Sequence, residues 1–438
     1  MMKSNRIFAK SFSRYEHKKF RYWAIIVLFI FSLSFFTLLR TSFGPLPIFS
    51  GELVIERKQI CNVSDPKFDY CDVEGDIRIR GRSSKIFDVS SQMFDMVGNE
   101  SWTIKPYPRK NDHFMMGFIK EFKVNAIVGD EEAPPCNLNH SVPAIVFSVG
   151  GYASGNHWHA FTDTLIPLFE VSAQFHGEVQ FLITDIEQHW ITKYQAILKQ
   201  LSRYEIINID INDKVHCFPR MIVGLKYYKD FRIDPLTASK GYSVKEFRKL
   251  IREAYSLKRS DAINILQTQE KPRLLILTRN ESRAIMNVDE IIELAKNMDF
   301  EVVVSDAMAS LNNFSHVVNS CDVMMGVHGA GLTNLAFLPN NAVVIQVLPW
   351  GAFEWLASHC FGKPALEMDL RYMEYKIKEE ESSLIEQYPL DDPVFKESHL
   401  NKEADWELFK SVYLKQNVKI DVGRFKATLS KALELLPH

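Results

Sequence analysis

The residues with the clearest chemical potential in this sequence lie in the segment GVHGAGLTNLAFLP, residues 326–339. Gly326, Gly329 and Gly331 surround His328, and a helical pattern follows them. Glycines let a ligand approach backbone N–H groups closely, and the start of a helix favours an anion. The segment therefore predicts a diphosphate site. It has neither the spacing of a dinucleotide fingerprint nor a P-loop lysine, and a tight turn capped by His328 is the structural alternative.

Two arginines supply a second cationic element. Arg279 and Arg283 stand in RLLILTRNESR, where an apolar strand precedes the first arginine. Guanidinium groups suit bidentate contacts to phosphate. If this strand and the strand before His328 belong to one parallel sheet, both loops leave the same edge and form a clamp for a nucleotide diphosphate. A solvated pair at a helix start is the alternative.

A histidine and a carboxylate in another segment have the spacing of an acid–base pair. In GGYASGNHWHAFTDTLIPLFE, His159 and Asp163 stand four residues apart, so on a helix they share a face. Asp163 could orient His159 as a general base, or act as the base itself. His157 falls on a different face, and no third ligand has the spacing of a zinc site. A helix N-cap with a buried imidazole would also explain the segment.

Alternating strands and helices must position these residues. Apolar strand patterns separated by helical patterns predict parallel sheets covered on both faces. The clearest strands are at residues 143–151, 179–185, 273–279, 300–306, 322–327 and 342–349, and a closing helix is predicted at 424–436. We therefore predict an α/β protein with two facing, doubly wound, Rossmann-like domains, residues 61–257 and 258–438.

A basic and then apolar segment opens the chain. Residues 1–22 contain seven Lys or Arg and one acid, and residues 23–39 contain no charged side chain. This pattern predicts a cytoplasmic tail at 1–21, a transmembrane signal-anchor at 22–40 and a stem at 41–60, with the rest of the chain lumenal. A cleaved signal peptide is the alternative, although no clear small-x-small cleavage site follows Leu39.

Sequons and cysteines agree with a lumenal location. The N-x-S/T sequons predict glycosylation at Asn62, Asn99, Asn139, Asn280 and Asn313. Six cysteines follow residue 60, for which we expect the disulfides Cys61–Cys71, Cys136–Cys217 and Cys321–Cys360. The sequence contains no C-x-x-C pair, so the cysteines do not suggest a metal site. The formal charge of −2, from 52 basic and 54 acidic residues, argues against a nucleic-acid partner.

The sequence resembles glycosyltransferase family 61, particularly its plant xylan-modifying arabinosyl- and xylosyltransferases. The resemblance runs from about Cys61 to the C-terminus. It rests on CDVEGDIRIRG (71–81), PPCNLNHSVPAIVFSVGGY (134–152), KPRLLILTRNESR (271–283), NSCDVMMGVHGAGLTNLAFLP (319–339) and IQVLPWGAFEW (345–355). It implies a type II, single-pass Golgi membrane protein with a GT-B architecture that transfers a pentose from a UDP-sugar with inversion.

The same resemblance implies roles for individual residues. The donor-nucleotide contacts fall on Arg279, Arg283, Gly326, His328, Gly329, Gly331 and Asn334. His159 and Asp163 fall on the acceptor side as catalytic residues. One position departs from the family pattern, because plant members often have an acidic residue directly after this histidine and the present chain has Ala160.

The expected reaction moves arabinofuranose or xylose from a UDP-sugar, the donor substrate, onto a cell-wall polysaccharide such as xylan. The sequence requires no cofactor, and it leaves a divalent metal undecided because no D-x-D motif stands at a convincing strand end. Because of Ala160, a second class of function is also considered: an inactive lumenal carbohydrate-binding or scaffold subunit. Transfer of xylose to protein-linked N-glycans is a third possibility.

Overall fold

A computed structural model describes residues 60–89, 100–127, 133–238, 241–306, 310–396 and 406–438. All of these ranges belong to the second of the chain's two units, Ile60–His438. The predicted tail and signal-anchor, and the predicted stem up to residue 59, lie outside the described residues. Within the described ranges, no helix is both long enough and apolar enough to cross a membrane.

Strands and helices alternate through the second unit. The strands are β1 (Cys61–Asn62), β2 (Tyr70–Arg80), β3 (Lys85–Asp88), β4 (Glu100–Ile104), β5 (Phe122–Ala126), β6 (Leu138–Asn139), β7 (Ala144–Ser148), β8 (Gln180–Thr184), β9 (Ile207–Asn208), β10 (His216–Val223), β11 (Arg273–Thr278), β12 (Glu301–Asp306), β13 (Val323–Val327), β14 (Val343–Leu348) and β15 (Arg371–Lys376). The α-helices are α1 (His113–Met116), α2 (His157–His159), α3 (Ile166–Ser172), α4 (Gln188–Leu201), α5 (Val244–Ala254), α6 (Val288–Asn297), α7 (Leu311–Asn319), α8 (Glu354–Ala357), α9 (Lys363–Glu367), α10 (Pro393–Lys396), α11 (Trp406–Leu408) and α12 (Val422–Leu435).

The first sheet is mixed and has the order β4-β5-β3-β2-β10-β7-β8-β9, with β1 on β2 and β6 on β10. Strands β10, β7, β8 and β9 run parallel, as predicted for the region around residues 143–185. Every residue of β7 and β8 is buried, which explains their continuous apolar sequence. Strand β2 pairs antiparallel with β10 and joins the parallel strands to the mixed half built from residues 61–126.

The second sheet is parallel and has the order β12-β11-β13-β14-β15. The four strands predicted here, now β11 to β14, are confirmed, and β15 was missed because its sequence RYMEYK is not an apolar run. The chain winds outward in opposite directions from β11 and β13. Ligands of such sheets bind beyond the carboxyl ends of the two strands where the winding reverses. Arg279 follows β11 and His328 follows β13, at this edge.

Two of the three expected disulfides are confirmed. Cys61 bonds to Cys71, its register partner on the neighbouring strand, and Cys136 bonds to Cys217. The expected pair Cys321–Cys360 is wrong, because both cysteines are free. Cys321 lies just before the amino end of β13, whereas Cys360 lies on a π-helical segment, Ser358–Gly362, that follows β14 and α8.

Helix α5 packs against helices of the first sheet and against a segment that connects strands of the second sheet. Ser243 and Glu246 form a capping box at its start. On its buried face, Arg248 is 3% exposed and donates hydrogen bonds to the backbone carbonyls of Ala336, Leu338 and Met368, which all belong to the second sheet's connections. Burial lowers the pKa of Arg248 to about 10, which reflects the cost of enclosing this charge.

Four of the five predicted glycosylation sites are accessible on the surface. Asn62, Asn139, Asn280 and Asn313 are exposed, as a glycan acceptor must be. Asn99 lies outside the described residues. Glycosylation itself stays a prediction at each position.

Candidate active site

The predicted diphosphate loop and the predicted arginines come together at the carboxyl edge of the second sheet. A Cβ atom added at Gly329 would lie 2.6 Å from Nη1 of Arg279 and 3.2 Å from Nη1 of Arg283. Both guanidinium groups therefore rest against the backbone of the glycine loop. Any side chain at residue 329 would occupy the space that these groups use, which gives a packing reason for glycine at this position.

The two guanidinium groups lie close together, and the charges of Asp306 and Glu281 offset only part of the burial of Arg279. Arg283 donates from Nη1 to the carbonyl of His328 at 3.1 Å, and Arg279 donates from Nε to the carbonyl of Ser282 at 2.9 Å. Burial and the neighbouring Arg279 lower the pKa of Arg283 to about 10. Burial also lowers the pKa of Arg279. Like charges that are partly desolvated in this way would be stabilised by a bound anion.

His328 is 7% exposed and is fixed from its Nδ1 side. The amide nitrogen of Gln346, on β14, lies 2.6 Å from Nδ1, and the amide oxygen lies 2.7 Å from the hydroxyl of Tyr372. With the amide in this orientation, Nδ1 accepts a hydrogen bond and a neutral ring carries its proton on Nε2. The rings of Phe353 and Phe361 pack edge-on against the imidazole.

The remaining predicted donor residues lie at or beneath this loop. Gly326 is inside β13, where an added Cβ would lie 3.1 Å from the side chain of Leu277. Gly331 offers its carbonyl to the side-chain amide of Asn334 at 2.8 Å. Asn334 itself is fully buried. The structure therefore groups Arg279, Arg283, His328 and Gly329 at the edge, while Gly326 and Asn334 support the loop from below.

The predicted acid–base pair is in contact. His159 ends α2, and a π-helical segment, Ala160–Leu165, continues the helix through Asp163. Nδ1 of His159 lies 2.8 Å from Oδ2 of Asp163. The ring of Tyr152 stacks on the imidazole with a centroid distance of 4.6 Å. A carboxylate that accepts from Nδ1–H leaves Nε2 of a neutral imidazole as the basic nitrogen.

Asp163 is fully buried and accepts hydrogen bonds on both carboxylate oxygens. The hydroxyl of Tyr107 donates to Oδ2 at 2.7 Å, and Arg109 donates to Oδ1 from Nε at 2.9 Å. Burial alone would raise the pKa of Asp163, but Arg109 and His159 outweigh it and hold the pKa below its usual range. Asp163 is therefore an ionised carboxylate that orients His159, and its complete burial keeps it from a substrate hydroxyl.

Sequence reasoning missed the residues that hold Asp163. Tyr107 and Arg109 come from the segment KPYPRK, which has no strand or helix period, and they reach Asp163 across more than 50 positions of the chain. Asp230, which follows β10, lies 3.2 Å from Nη2 of Arg109. The only local signal for this cluster was the pair of prolines that flank Tyr107 and precede Arg109.

Ala160 is fully buried within the hydrophobic core. An acidic side chain at this position would lie beneath the helix and away from His159. Ala160 therefore contributes core packing and places no polar group beside the imidazole.

Two contacts connect the helix that carries the acid–base pair to the elements around the glycine loop. His157 accepts from the hydroxyl of Tyr194 at Nδ1, at 2.8 Å, and approaches the side-chain oxygen of Asn334 with Nε2, at 3.3 Å. Trp158 donates from its indole nitrogen to the carbonyl of Cys360 at 3.3 Å. The helix that carries His159 is thus fixed against the elements that carry His328.

We expect the contact of His157 to make the protein less stable in acid. Burial and Lys193 lower the pKa of His157 to about 3, whereas the unfolded chain titrates near 6.5. The neutral ring therefore contributes its full stability above about pH 6.5, and that contribution falls by up to about 1.4 kcal/mol per pH unit below it. In urea unfolding at pH 7, 6 and 5, the free-energy difference between wild type and His157→Gln should shrink as the pH falls.

The exposed histidine of α7 offers a matched control for this prediction. His316→Gln should leave the pH dependence of the unfolding free energy unchanged, because this side chain is exposed. A His157→Gln protein that keeps the wild-type slope between pH 7 and pH 5 would contradict the assignment.

Comparison with known proteins places this geometry in a family. Residues 157–345 match the family model described as Glycosyltransferase 61. The β-1,2-xylosyltransferase XYXT1 of Oryza sativa subsp. japonica is 41% identical over 401 residues, which cover 88% of this chain and 86% of that protein. The chain belongs to glycosyltransferase family 61. The α-1,3-arabinosyltransferase XAT3 of the same rice is 43% identical over 384 residues, 86% of this chain and 66% of that protein.

A third relative belongs to another plant. The xylan glycosyltransferase MUCI21 of Arabidopsis thaliana is 36% identical over 394 residues, 85% of this chain and 78% of that protein. The chain spans 66% and 65% of the lengths of two rice α-1,3-arabinosyltransferases, slightly less than two thirds of each. The segment that matches the family 61 model begins at His157 and ends at Ile345, so it contains both the acid–base pair and the glycine loop.

Proposed function

We propose that this family 61 protein is an inverting glycosyltransferase that moves arabinofuranose or xylose from a UDP-sugar onto a xylan-type polysaccharide. One observation carries the proposal. A cationic site at the switch point of the second sheet is joined, through His157 and Trp158, to a hydrogen-bonded His–Asp pair on the first. The relatives named for arabinosyl and xylosyl transfer support the choice of pentoses.

The finer architecture is part of the proposal. We assign a GT-B arrangement, in which the acceptor-side and donor-side sheets face each other with their carboxyl edges toward one cleft. The parallel strands β10-β7-β8-β9 and the parallel second sheet support it, since each places a predicted site at a carboxyl edge. The predicted domains 61–257 and 258–438 follow the same division, because all strands of each sheet fall within one of them.

In the proposed reaction, His159 is the general base. Its Nε2 takes the proton from an acceptor hydroxyl as the oxygen attacks the anomeric carbon of the pentose, and the bond from that carbon to the diphosphate breaks. Asp163 holds the imidazole in the required tautomer and stabilises the imidazolium that forms. Arg279 and Arg283 stabilise the charge that develops on departing UDP. Attack from the face opposite UDP inverts the configuration.

A Golgi membrane location with a lumenal catalytic unit completes the proposal. The predicted signal-anchor at 22–40 would tether the chain, with residues 1–21 in the cytoplasm. The two disulfides and the four exposed sequons support a lumenal compartment, where disulfides persist and glycans are added. Labelling of permeabilised cells with a Golgi marker would test it, and cytosolic staining would refute it.

The decisive experiment is a donor and acceptor array on the purified full chain. UDP-xylose and UDP-arabinofuranose, each offered with xylo-oligosaccharides, should give a product heavier by one pentose. UDP-glucose and UDP-N-acetylglucosamine are the matched donors that should give none. Binding of UDP without transfer from either pentose donor would contradict the proposed reaction, and N-glycan acceptors in the same array would reveal the alternative acceptor.

A further inference from the structure

A cavity of about 720 Å³ opens at the carboxyl ends of β7, β8 and β9, beside the acid–base pair. Its walls include the Gly150–Gly151 turn after β7, Asp185 after β8, Asp210 after β9, and Phe118 just beyond α1. This size is ordinary for a small-molecule or oligosaccharide site. The cavity plays no part in the contacts that hold Asp163 or the arginines.

One wall of the cavity is apolar and unusually exposed. Phe118 is 62% exposed and packs edge-to-face on Phe114, which is 69% exposed, at a centroid distance of 5.3 Å. Ile211, on the β9 side, is 76% exposed. Large apolar side chains gathered at a concave surface, instead of being scattered singly, mark a site of interaction. A flat aromatic face suits the C–H face of a sugar ring.

The cavity lining also offers fixed hydrogen-bond acceptors, Asp185 and Asp210. Oδ2 of Asp185 accepts from the hydroxyl of Ser148 at 2.6 Å, and Asp210 accepts from Lys120 and from Thr184, both at 2.8 Å. These contacts hold the carboxylates in place. Among the described residues that line the cavity, none is basic. The lining therefore disfavours an anion and favours a neutral ligand with many hydroxyl groups.

The cavity and the acid–base pair share a wall that is one turn thick. In the 3-10 turn Gly151–Ser154, Gly151 and Ser154 line the cavity, while the ring of Tyr152 stacks on His159. Tyr107, which donates to Asp163, lies against Gly151, where an added Cβ would be 3.3 Å from its ring. A linear polymer that crosses the rim of this turn would have one unit at His159 and its next units in the cavity.

We propose that this cavity binds the non-reacting sugar units of the acceptor chain, and that it selects a neutral pentose polymer over a single sugar. The proposal rests on the proposed transferase function and adds an acceptor subsite to it. The units beyond the attacking one stack on Phe118 and donate hydroxyl hydrogens to Asp185 and Asp210. Longer acceptors then bind more tightly than short ones, whereas the chemical step at His159 is the same for both.

The test compares acceptors of two to six xylose units on the full chain with a saturating UDP-pentose. In the wild type, KM should fall with acceptor length. Phe118→Ala should raise KM for xylohexaose by about tenfold, the loss of one stacking contact, and should weaken the dependence of KM on acceptor length. Phe118→Tyr, which keeps the ring, should behave as wild type. Leu266→Ala, at a side chain that is 77% exposed elsewhere, is the control.

A calorimetric titration separates this proposal from the reaction itself. Xylohexaose should bind the UDP-saturated wild type about tenfold more tightly than Phe118→Ala, whether or not any pentose is transferred. If transfer fails but this difference is found, the transferase function falls and the subsite stands. If transfer succeeds while Phe118→Ala keeps the wild-type dependence on acceptor length, or if the wild type binds no xylohexaose, the subsite is overturned.

Discussion

Replacing His159 with alanine should reduce pentose transfer by about 10²- to 10⁴-fold, the usual range for loss of a general base. His159 is the member of the acid–base pair that solvent can reach, because its side chain is 19% exposed whereas Asp163 is fully buried. UDP affinity should stay within about twofold of wild type, because the imidazole belongs to the acceptor-side helix. Initial rates with a xylo-oligosaccharide and calorimetry with UDP measure the two quantities.

Asp163→Asn provides the sharper comparison. The amide is nearly isosteric, but it cannot balance the charge of Arg109 or fix the tautomer of His159, so transfer should fall as well while UDP affinity is kept. His316→Ala, an exposed histidine on α7, should transfer at the wild-type rate. A His159→Ala protein within about threefold of wild-type kcat would eliminate His159 as the base.

Replacing Arg279 with alanine should weaken UDP binding by at least about 30-fold, since a desolvated, charge-assisted contact to an anion is worth about 2 kcal/mol or more. The guanidinium lies against Gly329 and beside Arg283, where it can reach a diphosphate on the loop. Arg279→Lys should recover part of the affinity, because it restores the charge but not the bidentate fork. Titrations with UDP and UMP measure the effect, and the variant should lose most of the preference for UDP.

The stability of the ligand-free variant distinguishes this loss from misfolding. Arg279 helps to lower the pKa of Arg283, so the two charges oppose each other and removing one should not lower the melting temperature. Arg203→Ala, at an exposed arginine paired with Glu178, is the matched control. Unchanged UDP affinity in Arg279→Ala would refute the assignment of a diphosphate site to this loop. Affinity lost together with a lower melting temperature would assign Arg279 a structural role instead.

Local patterns were sufficient where the chemistry is local. Apolar runs identified the buried strands β7, β8, β11, β13 and β14, because both faces of these strands are covered. The spacing of four between His159 and Asp163 survived in the structure, even though the helix is π-type over Ala160–Leu165. The glycine loop and the two arginines lie close together because the carboxyl ends of parallel strands share one edge of the sheet.

Contacts between distant segments could not be read from periodicity. Tyr107 and Arg109 reach Asp163 from an irregular segment, and Asn334, predicted as a donor contact, is buried against His157 from the other sheet's helix. Strand β15 was not predicted because a half-exposed edge strand carries polar residues. The wrong pairing of Cys321 with Cys360 has the same origin, because counting cysteines gives no information on where each lies in the sheet.

Arg248 determines where chimaeric transferases can be joined. Its helix, α5, precedes the predicted boundary at residue 257, yet its guanidinium bonds to carbonyls at Ala336, Leu338 and Met368. A recombinant that takes residues 258–438 from a relative would have to reproduce those three carbonyl positions. Otherwise the buried charge of Arg248 would lose its hydrogen-bond partners, which would cost about several kcal/mol of stability. Crossovers placed before Ser243 would instead transplant the arginine together with its acceptors, and they offer the sounder route to exchanging donor preference between relatives.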